Sequence, residues 1–184
     1  MGGGNMIMID VGDFFLVEPS EIYAEQIREY RQDFLDTNCS MDGCGPLRKC
    51  EDPFTYISEC EKCTAQDTLP EGLVIATQFF YVRKADNRLV GMIQVRHYFN
   101  DYLSKFGGHI GYSIRPSERR KGYATSMLNA ILPYCREIGL DKLLITCIDG
   151  NIGSEKTIRN NGGVYESTVY ESGKNCSLKR FWMT

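Results

Sequence analysis

The stretch of residues 109–148 constrains the fold most, because a short apolar run, a basic turn and a long amphipathic run follow one another directly. Residues 109–114 predict a strand, and residues 115–122 predict a turn that contains three arginines, a lysine and a glycine. Apolar residues then recur at helical spacing over 123–138, and a glycine follows. Residues 142–148 predict a second, buried strand. A strand, a helix and a strand in this order indicate a mixed α/β domain.

Further strands and helices are predicted on both sides of this unit. The predicted strands cover 14–17, 77–83, 89–96, 164–169 and 179–183, and the predicted helices cover 20–36 (with Ser20 as N-cap), 53–63 and 154–160. Turn residues at 85–88 predict an antiparallel hairpin between two of the strands. No repeat or linker interrupts the pattern. We therefore expect one domain over 1–184, in which residues 1–12 are disordered or only loosely paired.

Composition excludes several function classes. The net charge of -3 argues against a general nucleic-acid binder, whose binding domain is basic. With 42% hydrophobic and 24% charged residues, the chain has the composition of a soluble globular protein, and it has no apolar run of membrane-spanning length. Its first residues lack the basic and apolar regions of a secretory signal. We expect a cytoplasmic protein.

The eight cysteines predict free thiols rather than a disulfide framework, because the expected compartment is reducing. Five of them cluster between Cys39 and Cys63. Only Cys60 and Cys63 form a C-x-x-C pair, and they lie in a predicted helix, so no metal is expected. A zinc-stabilised regulatory domain is the alternative that this cluster leaves open.

The basic turn has the physical properties of a phosphate cradle. It opens a long helix, whose first amides lack intrahelical partners and whose dipole attracts an anion. Gly122 permits close approach to the backbone, and residues 119–121 add positive potential. A Walker-type P-loop is excluded because no Gly-Lys-[Ser/Thr] follows, and the Gly-x-Gly-x-x-Gly fingerprint is absent. A solvated loop and a nucleic-acid patch are the alternative interpretations.

The residues from Arg119 to Ala124 read Arg-x-x-Gly-x-Ala, which resembles the pyrophosphate signature of the GNAT superfamily of acyl-CoA-dependent N-acyltransferases. Residues 149–166 resemble the second motif of that family, with Asn151, Ser154 and Gly162 at matching places. Residues 96–124 are similar to a group of bacterial predicted acetyltransferases of unknown substrate. The element order over 14–183 is also similar, so the resemblance covers nearly the whole chain. It implies a central mixed, mostly antiparallel sheet of six to seven strands flanked by helices, with one splayed pair of parallel strands.

The resemblance also implies acetyl-CoA as co-substrate, and direct attack of a primary amine on its thioester. The pantetheine arm would lie between strands 110–115 and 143–148 and pair with the backbone of Tyr112 and Ile114, where one N–H would polarise the thioester carbonyl. Amides at the start of the long helix would take the pyrophosphate. The residues implied to bind the cofactor are Tyr112, Ile114, Arg115, Arg119, Arg120, Lys121, Gly122, Tyr123, Ala124, Thr125, Asn151 and Ser154.

The sequence departs from the family at the residues that move protons. Many members have a glutamate just before the central Ile-Gly-Tyr, where this chain has His109. An imidazole accepts protons near neutral pH, so His109 is the predicted base, and a structural histidine is the alternative. The tyrosine that serves as general acid is replaced by Ile158, and Tyr165 or a water is left as the alternative donor.

Arg96, His97 and Asn100 follow or end a predicted strand and are the predicted acceptor-binding residues, with a solvated strand end as the alternative. The loop 41–46 predicts either a lid over the acceptor pocket or a plain surface loop. We expect an N-acetyltransferase for a small-molecule or peptide amine, with no nucleic-acid or membrane partner; a homodimer stays open. The second hypothesis is a non-catalytic acyl-CoA-binding or sensor module of the same fold.

Overall fold

The computed structural model describes residues 6–184, which form one eight-stranded sheet flanked by four α-helices. The strands are β1 (Met8–Val11), β2 (Phe14–Val17), β3 (Ala76–Arg83), β4 (Arg88–Arg96), β5 (Ile110–Ile114), β6 (Leu143–Ile148), β7 (Val164–Glu171) and β8 (Cys176–Met183). The helices are α1 (Ala24–Asp36), α2 (Pro53–Lys62), α3 (Tyr123–Glu137) and α4 (Ile152–Asn160).

The strand order is β1-β2-β3-β4-β5-β6-β8-β7, and β5 and β6 are the parallel pair in an otherwise antiparallel sheet. This confirms the predicted mixed, mostly antiparallel architecture with its splayed parallel pair. The described part of the chain has eight strands rather than the six to seven expected.

Two buried layers lie on opposite faces of the sheet, as the alternation of side chains along each strand requires. Phe79 of β3 packs in the layer that contains Met127 of α3 and Ile158 of α4. Its neighbour Phe80 packs in the other layer, with Tyr30 of α1 and Tyr56 of α2. Helices α3 and α4 therefore cover one face, and α1 and α2 cover the other.

The amino-terminal segment is more ordered than predicted. Residues 8–11 form β1, which pairs antiparallel with β2. The pairing begins with Met8 opposite Val17 and ends with Val11 opposite Phe14. An ion pair between Asp10 and Lys84, with 2.7 Å between Oδ2 and Nζ, links β1 to the turn after β3. Of the two alternatives expected for this segment, residues 8–11 are paired rather than disordered; residues 1–5 lie outside the described residues.

The predicted helix over 20–36 begins differently from its sequence signal. Its first turn is a 3₁₀ helix, Glu21–Tyr23, and α1 starts at Ala24. The hydroxyl of Ser20 is buried and has no hydrogen-bond partner in the described chain, so Ser20 is not the predicted side-chain cap. The tighter first turn leaves Ile22 79% exposed instead of on the buried face.

Other elements differ from prediction mainly in their ends. Helix α4 and strands β7 and β8 are longer than predicted. The connection between β4 and β5 contains a short π-helix at Leu103–Gly107. Such segments interrupt regular helical bonding and occur often beside functional sites.

Candidate functional site

A gap opens in the middle of the sheet between β5 and β6. The two strands are in register at a single pair, Ile110 and Ile145, and then diverge. The β5 backbone at residues 109 and 115 bonds to β4. Because backbone groups alternate in direction along a strand, those of Tyr112 and Ile114 point into the gap. The structure therefore offers strand-like donors and acceptors where the pantetheine arm was predicted.

The start of α3 lies at one end of this gap and is not capped. Gly122 precedes the helix with a φ of 80°, and no side chain bonds to the first turn. The first backbone bond runs from the Ser126 N–H to the Gly122 carbonyl, at 3.1 Å. Within residues 6–184, the amides of residues 123–125 have no backbone acceptor, and a Cβ on Gly122 would meet nothing within 4 Å. These free amides and the open space fit a pyrophosphate.

The basic side chains around this helix start have different roles. Arg119 is fixed in place, because its Nε donates to the Ile114 carbonyl at 3.1 Å and its guanidinium lies over the Phe34 ring. Lys121 is paired with Glu118, with 2.8 Å between Nζ and Oε2. Arg120 is exposed and forms no ion pair within the described chain. Arg119 and Arg120 are thus the cations left to face an anion.

A cleft of about 870 Å³ runs from the helix start through the gap to the far side of the sheet. Most residues predicted to bind the cofactor line it: Tyr112, Ile114, Arg119, Arg120, Gly122, Tyr123, Ala124, Thr125, Asn151 and Ser154. The geometry brings them together, and their binding of the cofactor stays a prediction. The hydroxyls of Tyr112 and Ser154 lie 2.8 Å apart, and burial raises the pKa of Tyr112, so this phenol is protonated.

Two predicted cofactor residues lie elsewhere. The side chain of Arg115 is 1% exposed and faces α1, where its Nε lies 2.8 Å from Asp33 and its Nη2 lies 3.4 Å from Glu29. The side chain of Lys121 is turned to Glu118 and is absent from the cleft wall. Arg115 is thus paired with carboxylates of α1 away from the cleft, and Lys121 is paired with Glu118, which itself lines the cleft. Their binding of the cofactor stays a prediction.

At the other end of the cleft, Glu171 presents a carboxylate that sequence reasoning did not single out. It is 5% exposed and lines the cleft. The Tyr102 hydroxyl donates to its Oε1 at 2.9 Å, and Lys174 lies 3.7 Å away. Its Oε2 is buried and has no hydrogen-bond partner among the described residues. An unsatisfied, buried carboxylate oxygen is costly, so a ligand N–H that donates to it would be stabilised there.

The predicted lid loop forms one wall of this end. Gly43 and Asp42 line the cleft, and the Gln78 amide donates to the Gly43 carbonyl at 2.8 Å. Gly43 has a φ of 70°, and a Cβ on it would lie 2.1 Å from the Gly111 carbonyl oxygen. The loop therefore packs directly on the β5 backbone. The loop is therefore a wall of the cleft and not a plain surface loop, and its role as a lid stays a prediction.

Comparisons with known proteins agree with this geometry. The family described as "Acetyltransferase (GNAT) domain" matches residues 46–164, more than half of the chain. The chain belongs to the GNAT acetyltransferase family. The uncharacterized N-acetyltransferase YnaD of Bacillus subtilis (strain 168) is 30% identical over 88 residues, a match that spans 47% of this chain and about half (49%) of that relative. The predicted family is thus confirmed.

Solved structures share the GNAT fold over nearly the full chain. A ribosomal-protein-S5-alanine acetyltransferase from Vibrio fischeri has a TM-score of 0.72 at 15% identity, covering 96% of both chains. RimL, a ribosomal L7/L12 alpha-N-protein acetyltransferase solved with coenzyme A, has a TM-score of 0.71 at 14% identity, covering 96% of this chain and 97% of its own. At such identities the likeness concerns the fold alone.

The surroundings of His109 argue against the predicted base. His109 is 6% exposed, lies outside the cleft lining, and stacks on Phe99 with 3.9 Å between ring centroids. Its Nδ1 accepts the Leu144 N–H at 2.9 Å. Burial, with the nearby Arg96 charge, lowers the pKa of His109 from 6.5 to about 4. The imidazole is neutral and satisfies a β6 amide where the two parallel strands begin to part.

Replacement of His109 by asparagine, whose Oδ1 can take the same N–H, is expected to change the pH dependence of stability. The unfolded chain binds a proton near pH 6.5 and the native chain only near pH 4, so stability is lost as pH falls between these values. The loss is about 3 kcal/mol in the wild type and is absent in the variant. Urea unfolding between pH 4 and 8 measures it. A fall of kcat by more than about tenfold at pH 8 would restore the base role.

Other predicted residues of this GNAT chain also lie away from the cleft. His97 bonds to Thr77 at 2.9 Å, and Asn100 bonds to the Gly72 carbonyl and the Leu103 amide. Both residues therefore have structural partners, and neither lines the cleft. Tyr165 bonds to Thr168 at the exposed edge strand and cannot replace the missing acid at Ile158, which is buried in the core. Arg96 alone of the three predicted acceptor residues lines the cleft.

The thiols do not assemble a metal site in the described chain. All eight cysteines are free, and no group of three or more His, Cys, Asp or Glu side chains within residues 6–184 is close enough to hold a metal ion. Cys44 and Cys60 pack in the core beneath α1 and α2. Across the same residues, no helix is both long and apolar enough to cross a membrane.

A substitution at Gly43 tests how closely the loop 41–46 packs on β5. Gly43→Ala adds a backbone clash to a positive φ, so we expect a loss of about 2–4 kcal/mol of unfolding free energy. Gly72→Ala is the matched control, because Gly72 has a φ of 80° but nothing within 4 Å of an added Cβ. It should cost only about 1 kcal/mol. Urea unfolding of both variants compares them; equal losses would contradict direct packing on β5.

Proposed function

We propose that this GNAT chain transfers an acetyl group from acetyl-CoA to a primary amine by direct attack. The observation that carries the proposal is the continuous cleft, which joins free helix amides, a gap in the sheet and a buried carboxylate. A phosphate site alone would suit many ligands. The combination of a phosphate site, a strand-like channel and a proton acceptor suits an extended diphosphate whose far end reacts with an amine.

The bound co-substrate would supply an acetyl thioester. Amides of residues 123–125, with Arg119 and Arg120, would hold its pyrophosphate, and the backbone of Tyr112 and Ile114 would pair with its arm. These groups are largely in place before binding, because Arg119 is anchored by Ile114 and Phe34. Pre-organisation reduces the entropy lost on binding.

Glu171 is the group that we propose as proton acceptor for the attacking amine. An acceptor enters as an ammonium ion, which must lose a proton before its nitrogen can attack. The Tyr102 hydroxyl holds Oε1 of Glu171, which leaves Oε2 without a partner. An ammonium N–H would satisfy that oxygen and give it the proton. This arrangement replaces the base role first predicted for His109.

The Tyr112 and Ser154 hydroxyls are the candidates for the missing proton donor. They lie on the wall of the gap, bonded to each other at 2.8 Å, and α4 positions Ser154 through the Asn151 cap. A hydroxyl of this pair can donate a proton to the departing sulfur, and the pair regains a proton from solvent, to which the proton taken from the ammonium is released. This pair takes over the function that Ile158 cannot supply.

The decisive experiment measures coenzyme A binding and turnover separately. Calorimetry with coenzyme A should give a saturable one-to-one isotherm, and thiol release from acetyl-CoA should require an added amine. Binding without release for any amine in a broad panel would leave the non-catalytic acyl-CoA module. Absence of binding would contradict both.

The class of acceptor, the cytoplasmic location and a homodimer remain predictions. RimL is described as acting on the alpha-amino group of a ribosomal protein, which supports a peptide amine as one acceptor class. A small-molecule amine fits the same cleft, and the panel should contain both.

A further inference from the structure

Arg96 stands out as a cation that the proposed mechanism does not use. It ends β4 and lines the acceptor end of the cleft. Its Nη1 donates to the carbonyls of Gly107 and Gly108, at 2.9 and 3.2 Å, which turns the guanidinium toward the short π-helix. Gly43 and Gly111 lie beside it, and a Cβ on Gly111 would come within 3.1 Å of the Arg96 Nη2. The two glycines thus allow the loop and the β5 backbone to pack closely beside this side chain.

Arg96 forms no ion pair with the described residues, although the Asp42 carboxylate on the same cleft wall is near enough to interact with its charge. No carboxylate among residues 6–184 lies within 4.0 Å of Arg96, whereas Lys174 is close to Glu171 and Lys121 is paired with Glu118. The Nε and Nη2 atoms of Arg96 have no hydrogen-bond partner among residues 6–184, and neither atom is fully buried. Burial lowers the pKa of Arg96, which reflects the cost of holding an unpaired guanidinium there. The free donors therefore remain accessible from the cleft.

We propose that the acceptor is an amine that also carries a carboxylate, and that Arg96 binds this carboxylate. This rests on the proposed acetyl transfer and specifies its substrate class. A guanidinium offers a planar set of donors that matches a carboxylate. Glu171 provides the opposite charge in the same cleft, so an amino-acid-like zwitterion complements both groups. A simple diamine or alkylamine would leave Arg96 without a counter-charge.

The competing account is that Arg96 only fastens the π-helix through the two glycine carbonyls. Arg96→Gln separates the two roles, because its amide can still donate to a carbonyl but carries no charge. Arg136→Gln, on the exposed surface of α3, is the control for the loss of one positive charge from the chain.

The first test compares acceptors that differ only in the carboxylate, such as tyrosine with tyramine and leucine with isoamylamine. A second set of acceptors compares peptides that begin with Asp with peptides that begin with Asn. This set shows whether Arg96 binds a side-chain carboxylate rather than the α-carboxylate of a free amino acid. In the wild type and in Arg136→Gln, kcat/KM should favour the carboxylate form by about tenfold or more in at least one set. In Arg96→Gln the ratio should fall below about twofold. A preference for the uncharged form in every pair, or a preference retained in Arg96→Gln, overturns the inference.

The second test needs no turnover and so separates this inference from the proposed function. Calorimetry of the coenzyme A complex compares an acid with its uncharged amide. The pairs are N-acetyltyrosine with N-acetyltyrosinamide and N-acetylleucine with N-acetylleucinamide. The acid should bind about tenfold more tightly to the wild type and equally to Arg96→Gln. Equal binding, or no binding, of both forms by the wild type, in these pairs and in the N-acetylated Asp and Asn peptides, overturns the inference even if acetyl transfer is observed. Thiol release that fails with all amines would instead count against the proposed function.

Discussion

Replacing Glu171 by glutamine is expected to reduce kcat at pH 7 by about 10²–10⁴-fold while the affinity for coenzyme A stays unchanged. Glutamine has the same size, and its amide oxygen can accept the Tyr102 hydroxyl bond that now reaches Oε1 at 2.9 Å. What it lacks is the ability to take a proton from an ammonium. The loss should therefore appear in the chemical step and not in folding or in cofactor binding.

The pH dependence of this variant gives a sharper readout than its rate at one pH. As pH rises, the free amine becomes more abundant and needs no base, so the activity of Glu171→Gln should approach that of the wild type. Glu166→Gln is the control: it lies on the same strand, and its carboxylate bonds to Arg180 and Trp182 outside the cleft lining. It should retain wild-type kcat at every pH. If Glu171→Gln kept more than about one third of kcat at pH 7, the base role would be excluded.

Glu171 could not be found from the sequence because only the sheet order brings it to the cleft. In the chain it precedes a polar turn and belongs to no motif. In the fold, β8 inserts between β6 and β7, and the end of β7 meets Tyr102 near the π-helix. Local patterns do not encode a contact between residues 69 positions apart. The sequence signal that could have raised it is weak: an acid next to an aromatic at a strand end.

The helix start was predictable for the opposite reason. A basic turn, Gly122 and the apolar period of α3 are adjacent in sequence, so the free amides follow from local geometry. His109 lies between these cases. Its position and residue type indicated a base, but the Phe99 ring and the Leu144 amide that occupy it come from distant segments. Burial by such neighbours decides whether an imidazole titrates usefully.

The same difference between local sequence signals and contacts with distant segments explains where the predicted fold was wrong. Periodicity predicted β3, β4, β6 and α3 within about two residues at each end. It missed β1, which is four residues long and is defined mainly by its pairing with β2. It also assigned Ser20 as a cap, although the chain enters α1 through a 3₁₀ turn that packs Tyr23 against Phe80. Tertiary packing decided both places.

A carboxylate introduced in the first turn of α3 should not destabilise the protein but should weaken its binding of coenzyme A. Thr125→Glu places an acid in the first turn of α3, where the helix dipole favours it, so thermal stability should be unchanged or slightly higher. A like charge about 5 Å from a bound pyrophosphate costs about 3 kcal/mol at an intermediate dielectric. Affinity for coenzyme A should therefore fall by about 100-fold, and the loss should shrink at high salt.

Asn129→Glu is the matched control for this variant, because it adds the same charge to the exposed side of the same helix one turn further along. Calorimetry with coenzyme A should give it wild-type affinity to within about twofold, since the added charge is then screened from the helix start by solvent. If both variants lost affinity equally, binding would depend on the overall charge of the chain. If neither did, the first-turn amides of α3 would not be where the diphosphate is held, and the direction of the cleft proposed above would have to be abandoned.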